Sequence, residues 1–205
     1  MGHRANYVII EQNKGTAYRD QWGALGCTFL LGDGPVECKK FAREHEKTST
    51  LMDWAEAEGG FLVDFDQRRC IAFGHPDYDS DDLPAADRKL FDAFMVELEK
   101  GPAAMFAHVG DKWQGWTMVW DTRGTDAFSD YLATRGIKSI KAAADSEEAE
   151  GMTPRVEMAI PRGEKATSAK KPRAAAAKAK PAPKKKAAAA RKPAKKPAAS
   201  AKRRR

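Results

Sequence analysis

Large apolar side chains occupy only part of this chain, and their distribution limits where a folded core can form. All nine Phe, all five Trp and all four Tyr lie between Tyr7 and Tyr131. Beyond Ile160 no side chain is both apolar and larger than Ala or Pro, so that segment cannot bury enough surface to offset the entropy lost on folding. The sequence therefore predicts three parts: a globular domain over residues 1–136, a linker over 137–161 that is at most partly ordered, and a disordered tail over 162–205.

The charges divide along the same line. Residues 162–205, called here the basic segment, hold 18 Lys and Arg and one acid, Glu164, which gives a net charge of +17. Residues 1–161, called here the body, hold 18 basic and 28 acidic residues, which gives −10 and accounts for the whole-chain value of +7. An acidic body joined to a strongly basic segment indicates a polyanionic partner for the segment.

Secretion and membrane insertion find no support in the sequence. A secretory signal requires an apolar run after its basic residue, and the first residues, Met1–Asn6, have none. No apolar stretch approaches the roughly 20 residues that span a bilayer. Three Cys without paired spacing are more typical of a reducing compartment than of a disulfide-bonded protein. We expect a cytoplasmic location.

Alternating and helical apolar patterns predict an α+β fold. It consists of an antiparallel or mixed sheet of hairpins, with helices packed on one face. The predicted elements in chain order are a hairpin of Tyr7–Glu11 and Thr16–Trp22 with its turn at 13–15, a helix from Pro35 to about His45, a short helix from Thr50 to Gly59, a hairpin over 61–73, a helix from Asp82 to Gly101, a strand pair of 105–109 and 113–120, and a helix from Thr125 to Arg135.

Two details of this prediction depend on side-chain alternation. If Phe61, Val63 and Ile71 share one buried face, the connection within 61–73 must contain an odd number of residues, which places Val63 opposite Ile71. Alternating apolar residues over 156–160 indicate an edge strand, whereas 142–150 resembles a weak acidic helix. A poorly ordered linker is the favoured interpretation of 137–160.

Acidic residues form two candidate sites in the body. The segment DYDSDD, residues 77–82, resembles the start of a calcium loop, but Asp82 replaces the required Gly and Arg88 replaces the bidentate Glu. We therefore expect a solvated loop. Asp64 and Asp66 lie on the same side of a strand and are either the solvent face of a hairpin, which we favour, or an acid–base pair. Glu56 and Glu58, beside Trp54, are likewise either solvent-facing residues, which we favour, or an acid–base pair.

The three cysteines and four histidines contain the atoms for a zinc site or a thiol nucleophile, but their spacings match neither. We expect Cys27, Cys38 and Cys70 to be buried and unreactive. The sequence predicts no metal site, no cofactor and no catalytic residue.

Three tryptophans, Trp113, Trp116 and Trp120, lie near Lys112 and Arg123 and could stack on nucleic-acid bases. A body with a charge of −10 repels phosphate, however, so we expect the three indoles to pack in the core. The stretches GHRANY, QWGA and WAEAEGG resemble a pattern in uncharacterised bacterial proteins, which implies no activity.

The basic segment consists almost entirely of Lys, Arg, Ala and Pro, as in AAAAKAKPAPKKKAAAARKPAKKPAASAK. This composition resembles the tails of linker histone H1 and of bacterial histone H1-like nucleoid proteins. The resemblance covers about 44 residues and implies DNA binding and condensation without sequence readout. The winged-helix domain of that family is not visible in residues 1–135, so its mode of docking is not implied.

Elementary electrostatics supports the same expectation. Each Lys or Arg that neutralises a phosphate releases condensed counterions from the nucleic acid. The segment offers no aromatic or amide side chain to read bases, so it should bind without sequence preference. The residues expected to bind nucleic acid are Lys170, Lys171, Arg173, Lys178, Lys180, Lys184, Lys185, Lys186, Arg191, Lys192, Lys195, Lys196, Lys202, Arg203, Arg204 and Arg205.

The sequence thus favours a nucleoid-associated protein that binds DNA or RNA non-specifically through this tail and carries a globular domain of separate role. A nuclear location, with Lys184–Lys186 and Lys202–Arg205 as an import signal, applies if the source is eukaryotic. The alternatives are an enzyme localised to nucleic acid by the tail, with Asp64, Asp66 and Cys70 as the first residues to test, and a protein-interaction module recruited to DNA. The opposite charges also predict an intramolecular contact of the tail with the acidic body.

Overall fold

The computed structural model of the protein describes residues 3–52, 56–74, 83–142 and 155–163. It contains seven strands and four α-helices within these ranges. In chain order they are β1 (Arg4–Glu11), β2 (Lys14–Asp20), α1 (Pro35–Arg43), β3 (Glu46–Thr48), β4 (Ala57–Asp64), β5 (Arg69–Phe73), α2 (Ala85–Glu99), α3 (Pro102–Val109), β6 (Thr117–Trp120), α4 (Thr125–Thr134) and β7 (Val156–Ala159).

The seven strands form one mixed sheet in the order β3-β2-β1-β4-β5-β6-β7. The pairs β1–β4 and β5–β6 are parallel, and the other four pairs are antiparallel. This arrangement confirms the predicted α+β class with a mixed sheet. None of the helices described is long and apolar enough to cross a membrane.

Both faces of the sheet are covered, which differs from the predicted packing of helices on one face. The first core lies between the sheet and α1, α2 and α3, and the second lies between the sheet and α4. Within β1, Tyr7 and Ile9 point into the first core while Val8 and Ile10 point into the second. A continuous apolar run, rather than an alternating one, is what a strand buried on both faces requires.

The burial of both sheet faces also explains why the observed register of the β4–β5 hairpin differs from the predicted one. Leu62 lies opposite Ile71, and Val63 lies opposite Cys70, so the prediction that Val63 pairs with Ile71 is wrong by one residue. The prediction assumed a single buried face. Ile71 instead packs in the second core beside Leu62, and the connection has an even length, residues 65–68.

The predicted strand at 105–109 is helix α3. Its start repeats the pattern of α1: a Gly with positive φ, here Gly101 at +111°, followed by Pro in the first turn. Proline is well suited to that position because its missing N–H has no helical partner there. A 3-10 turn, Gly110–Lys112, follows α3. Of the predicted strand at 113–120, only Thr117–Trp120 is extended.

The short helix predicted from Thr50 to Gly59 is also wrong over its described residues. Thr50 forms an isolated parallel bridge with Lys141, and Ala57 begins β4; residues 53–55 lie outside the described ranges. A Cβ on Gly60 would lie 2.2 Å from the Asn6 carbonyl oxygen. This glycine therefore permits close approach of β1 to β4 rather than ending a helix.

The other predicted helices and the first hairpin are confirmed with shifted ends. The β1–β2 turn is at Gln12–Asn13, both with positive φ near +55°, as a two-residue hairpin turn requires. On α2, Phe91, Phe94 and Leu98 are buried, whereas Leu90 is exposed. Helix α4 begins at the predicted Thr125.

The chain after α4 contributes to both cores. Ile137 and Ile140 are buried in the second core, and Ile160 is buried in the first. Val156–Ala159 forms the edge strand β7 against β6, so the strand interpretation applies there rather than the linker. The acidic stretch 143–154 and residues 164–205, for which disorder is predicted, lie outside the described residues.

Candidate functional site

The nucleic-acid-binding residues predicted from the sequence all lie between 170 and 205, outside the described ranges. The last described residue is Gly163, whose N–H donates to the Gln114 side chain at 3.3 Å. The calcium-like segment 77–82 and Trp54 are likewise outside the described residues. The other candidates can be placed.

The three clustered tryptophans pack in the first core, as the sequence predicts. Trp113 is completely buried, and its Nε1–H donates to the Leu31 carbonyl oxygen at 2.7 Å. Trp116 packs edge-on against it at 5.2 Å between ring centroids, and Trp120 is 9% exposed. These indoles therefore offer little surface on which a base can stack.

Asp64 is completely buried, so the prediction that it faces solvent is wrong. Its Oδ2 lies 2.9 Å from Arg135 Nε and accepts a 2.9 Å hydrogen bond from the Tyr131 hydroxyl. Its Oδ1 accepts the N–H groups of Asp66 and Gln67. Burial and the Asp64 hydrogen bond raise the pKa of Tyr131. Both carboxylate oxygens of Asp64 accept hydrogen bonds from groups held in place by the fold, which argues for a structural role.

Asp66 joins the two hairpins. Its carboxylate accepts the backbone N–H groups of Asn13 at 2.7 Å and Gln12 at 2.8 Å, at the β1–β2 turn. The hydrogen bond from Asn13 lowers the pKa of Asp66 from its ordinary value of 3.8. Asp64 and Asp66 thus hold connections of the sheet, and the acid–base alternative finds no free carboxylate oxygen at Asp64.

Glu56 and Glu58 are exposed, in accord with the solvent-facing interpretation. Glu56 lies 3.5 Å from Arg4, and Glu58 lies 2.7 Å from His3 Nδ1. Ion pairs this exposed contribute little to stability.

The three cysteines are buried and not disulfide-bonded, as predicted. Burial raises the pKa of Cys27 to about 12 and also raises the pKa values of Cys38 and Cys70. A thiol that stays protonated is a poor nucleophile and a poor metal ligand. Within the described ranges, no group of three or more His, Cys, Asp or Glu is arranged to hold a metal ion.

One polar cluster was missed by the sequence analysis. Asp20, the last residue of β2, accepts a 3.2 Å hydrogen bond from the Tyr7 hydroxyl at Oδ2 and a 2.9 Å hydrogen bond from the Trp22 N–H at Oδ1. His45 Nδ1, beyond the end of α1, lies 3.5 Å from Asp20 Oδ2. These residues are far apart in sequence, and no motif relates them.

Asp20 and His45 of this cluster line an apolar cavity of about 450 Å³. Among the residues that the structure describes, six apolar side chains line the cavity: Trp22, Phe29, Leu30, Phe41, Leu83 and Phe91. Trp22 is 62% exposed, whereas the sequence predicts it as the last residue of the strand Thr16–Trp22. The strand ends at Asp20, so the alternation that the prediction used does not extend to residue 22.

The geometry of the cluster is suited to binding rather than to proton transfer. A general base must reach the proton that it abstracts. His45 Nε2 is enclosed by protein atoms and has no hydrogen-bond partner, so it presents no free lone pair to the cavity. The Asp20 side chain also lines the cavity, and it is 14% exposed.

Comparison of the chain with protein-family models, with curated proteins and with solved structures found no match in any of the three.

Proposed function

We propose that this protein binds nucleic acid without sequence preference through the basic segment, residues 162–205, and that the body has a separate role. The observation that carries the proposal is the segregation of charge: 18 Lys and Arg against one acid in the segment, and a net −10 in residues 1–161. Duplex DNA carries one negative charge about every 1.7 Å of its axis, which matches a dense, sequence-independent array of cations.

The composition of the segment supports non-specific rather than specific binding. Five prolines after residue 170 keep any helix short, and the alanine runs between them are below the length at which a helix is stable in water. Sequence readout needs positioned side chains in a groove. Contacts with phosphates need only positive charge within reach.

The two alternatives have less support. The residues named for an enzyme are Asp64, Asp66 and Cys70. The first two are committed to the hydrogen bonds of the sheet connections, and burial raises the pKa of the third. The recruitment alternative needs exposed indole surface, and among the described tryptophans only Trp22 is strongly exposed.

Fluorescence anisotropy with a labelled duplex tests the proposal. We expect the full chain to bind duplexes of unrelated sequence with equal affinity. If half of the 18 cations engage, the plot of log affinity against log salt should have a slope of about −8. A chain ending at Gly163 keeps the buried Ile160 and its backbone bonds to Gly115 and Trp116, and it should lose binding.

A matched pair of variants separates the loss of charge from the effect of substitution itself. Replacing Lys184, Lys185 and Lys186 by Gln should reduce the magnitude of the salt slope by up to about 3. Replacing Ala188, Ala189 and Ala190 by Gln, which leaves the charge unchanged, should not alter it. Binding by the chain that ends at Gly163, or strong preference for one duplex, would contradict the proposal.

A further inference from the structure

The apolar cavity beside Asp20 has a hydrophobic wall, and Asp20 adds a carboxylate to its lining. Its volume of about 450 Å³ lies within the range of about 300–1,000 Å³ typical of small-molecule sites. Phe29 is edge-on to Phe91 and Phe94 at 5.4 and 5.5 Å between centroids, so this wall is held in place by the first core. The cavity is therefore a preformed hollow.

Among the described residues, Asp20 is the one acid that lines this cavity, and its charge is incompletely compensated. The Asp20 side chain is 14% exposed, so most of the carboxylate is removed from water, which is costly without a positive partner. Among the described residues, the only cationic or titratable basic group within 4 Å is His45, at 3.5 Å. That distance exceeds an ordinary hydrogen bond, so Asp20 can accept a further donor.

The exposure of Trp22 is a second observation at this cavity. The large hydrophobic side chains strongly exposed within the described ranges are Trp22, Val36, Leu90 and Val96. Trp22 is the one aromatic among them, and it lines the same cavity as Asp20. An exposed indole next to a carboxylate offers both apolar contact and attraction for a cation.

We propose that this cavity binds a small organic amine with an aromatic or branched aliphatic body. The ammonium group donates to Asp20 Oδ2, and the apolar body lies against Phe29, Phe41 and Trp22. Binding is non-covalent, and the Tyr7 hydroxyl holds the carboxylate in position. This inference concerns the body alone and does not depend on nucleic-acid binding by residues 162–205.

Isothermal titration of the full chain with two isosteric probes tests the inference. Phenethylamine carries the ammonium group, and 2-phenylethanol replaces that group by a neutral hydroxyl. A charge-assisted hydrogen bond in a partly buried site should make the amine bind about tenfold tighter than the alcohol. Asp20→Asn should reduce this preference to less than about threefold.

Two further variants keep the test independent of a folding defect in Asp20→Asn. Trp22→Ala removes an exposed side chain and should weaken both probes by about fivefold while leaving circular dichroism unchanged. Glu44→Gln removes a nearby exposed carboxylate that does not line the cavity and should leave the preference for the amine intact. Equal affinity of the two probes, loss of the preference in Glu44→Gln, or no saturable binding of the amine below about 10 mM would overturn the inference.

Discussion

Asp64 illustrates how a single carboxylate organises the second half of the sheet. It is wholly buried, and it connects Arg135 and Tyr131, at the end of α4, with the backbone of the β4–β5 connection. A buried charge of this kind contributes little net stability while its pair is intact, but removing one partner leaves the other charge uncompensated.

Asp64→Asn should therefore lower the free energy of unfolding by about 3 kcal/mol, because the largely buried Arg135 loses its closer carboxylate and keeps only that of Asp66, at 3.4 Å. Urea denaturation followed by circular dichroism measures the change. Asp130→Asn is the matched control: Asp130 is 66% exposed and pairs with Arg123, so its replacement should cost less than about 1 kcal/mol. Equal losses in the two variants would show that the buried pair has no special role.

The complete burial of Asp64 was not predictable from its local sequence. The sequence shows Asp64 and Asp66 as alternate residues in a hairpin, and acids in such positions usually face solvent. The partners of Asp64 are about 70 residues away in the chain, at positions 131 and 135. Only the packing of α4 on the second face of the sheet brings them together.

At the scale of elements, Asp66 links the β4–β5 connection to the β1–β2 turn through hydrogen bonds. The carboxylate form is the better acceptor for the Gln12 and Asn13 N–H groups. Since the pKa of Asp66 in the folded protein is lower than its ordinary value, ionisation stabilises the fold. That contribution is complete above about pH 5 and is lost as the pH falls through the folded-state pKa.

Asp66→Asn should therefore make stability less sensitive to acid. We expect the free energy of unfolding of the native chain to fall more steeply between about pH 5 and pH 3 than that of the variant. Urea midpoints measured across this range give the comparison, with Asp130→Asn as the control that keeps the native steepness. The prediction fails if the Asp66 variant and the native chain have parallel pH profiles.

The interface of β1 with β4 depends on a glycine. Gly60→Ala would place a Cβ 2.2 Å from the Asn6 backbone oxygen, so the central parallel pair must separate. The expected loss is at least about 2 kcal/mol, seen as a lower Tm in thermal unfolding. Gly32→Ala is the control, since a Cβ there meets nothing within 4 Å. A Tm for Gly60→Ala equal to that of Gly32→Ala would contradict this account of the glycine.

Elements with local signals could be predicted, and elements defined by distant partners could not. The turn chemistry before β2, the Pro that starts α1 and the apolar stripe of α2 are encoded within a few residues. The strand predicted at 105–109 and the helix predicted at 50–59 failed because short apolar runs and Gly–Gly pairs fit more than one structure. The strand order and the two-sided burial of β1 depend on contacts across the chain.

The whole molecule joins an acidic body to a basic segment, and the two parts divide what the sequence can and cannot indicate. The nucleic-acid binding that we propose for the segment is inferred from composition, because phosphate neutralisation requires charge without a fixed geometry. The cavity of the body was not predictable from the sequence, since Asp20, His45 and Phe91 lie in three separate parts of the chain. Composition thus supports a prediction about charge, whereas it does not predict a shaped site.

This charge division leads to a prediction about affinity. A peptide of residues 162–205 should bind duplex DNA more tightly than the full chain at low salt, because the −10 of the body repels phosphate and attracts the same cations. The difference should shrink as salt rises, since the Debye length falls from about 30 Å at 0.01 M to about 10 Å at 0.1 M. Anisotropy titrations of both molecules on one duplex at these two ionic strengths measure it. A peptide that binds no more tightly than the full chain at 0.01 M salt would show that the body is electrostatically neutral toward the segment and its partner.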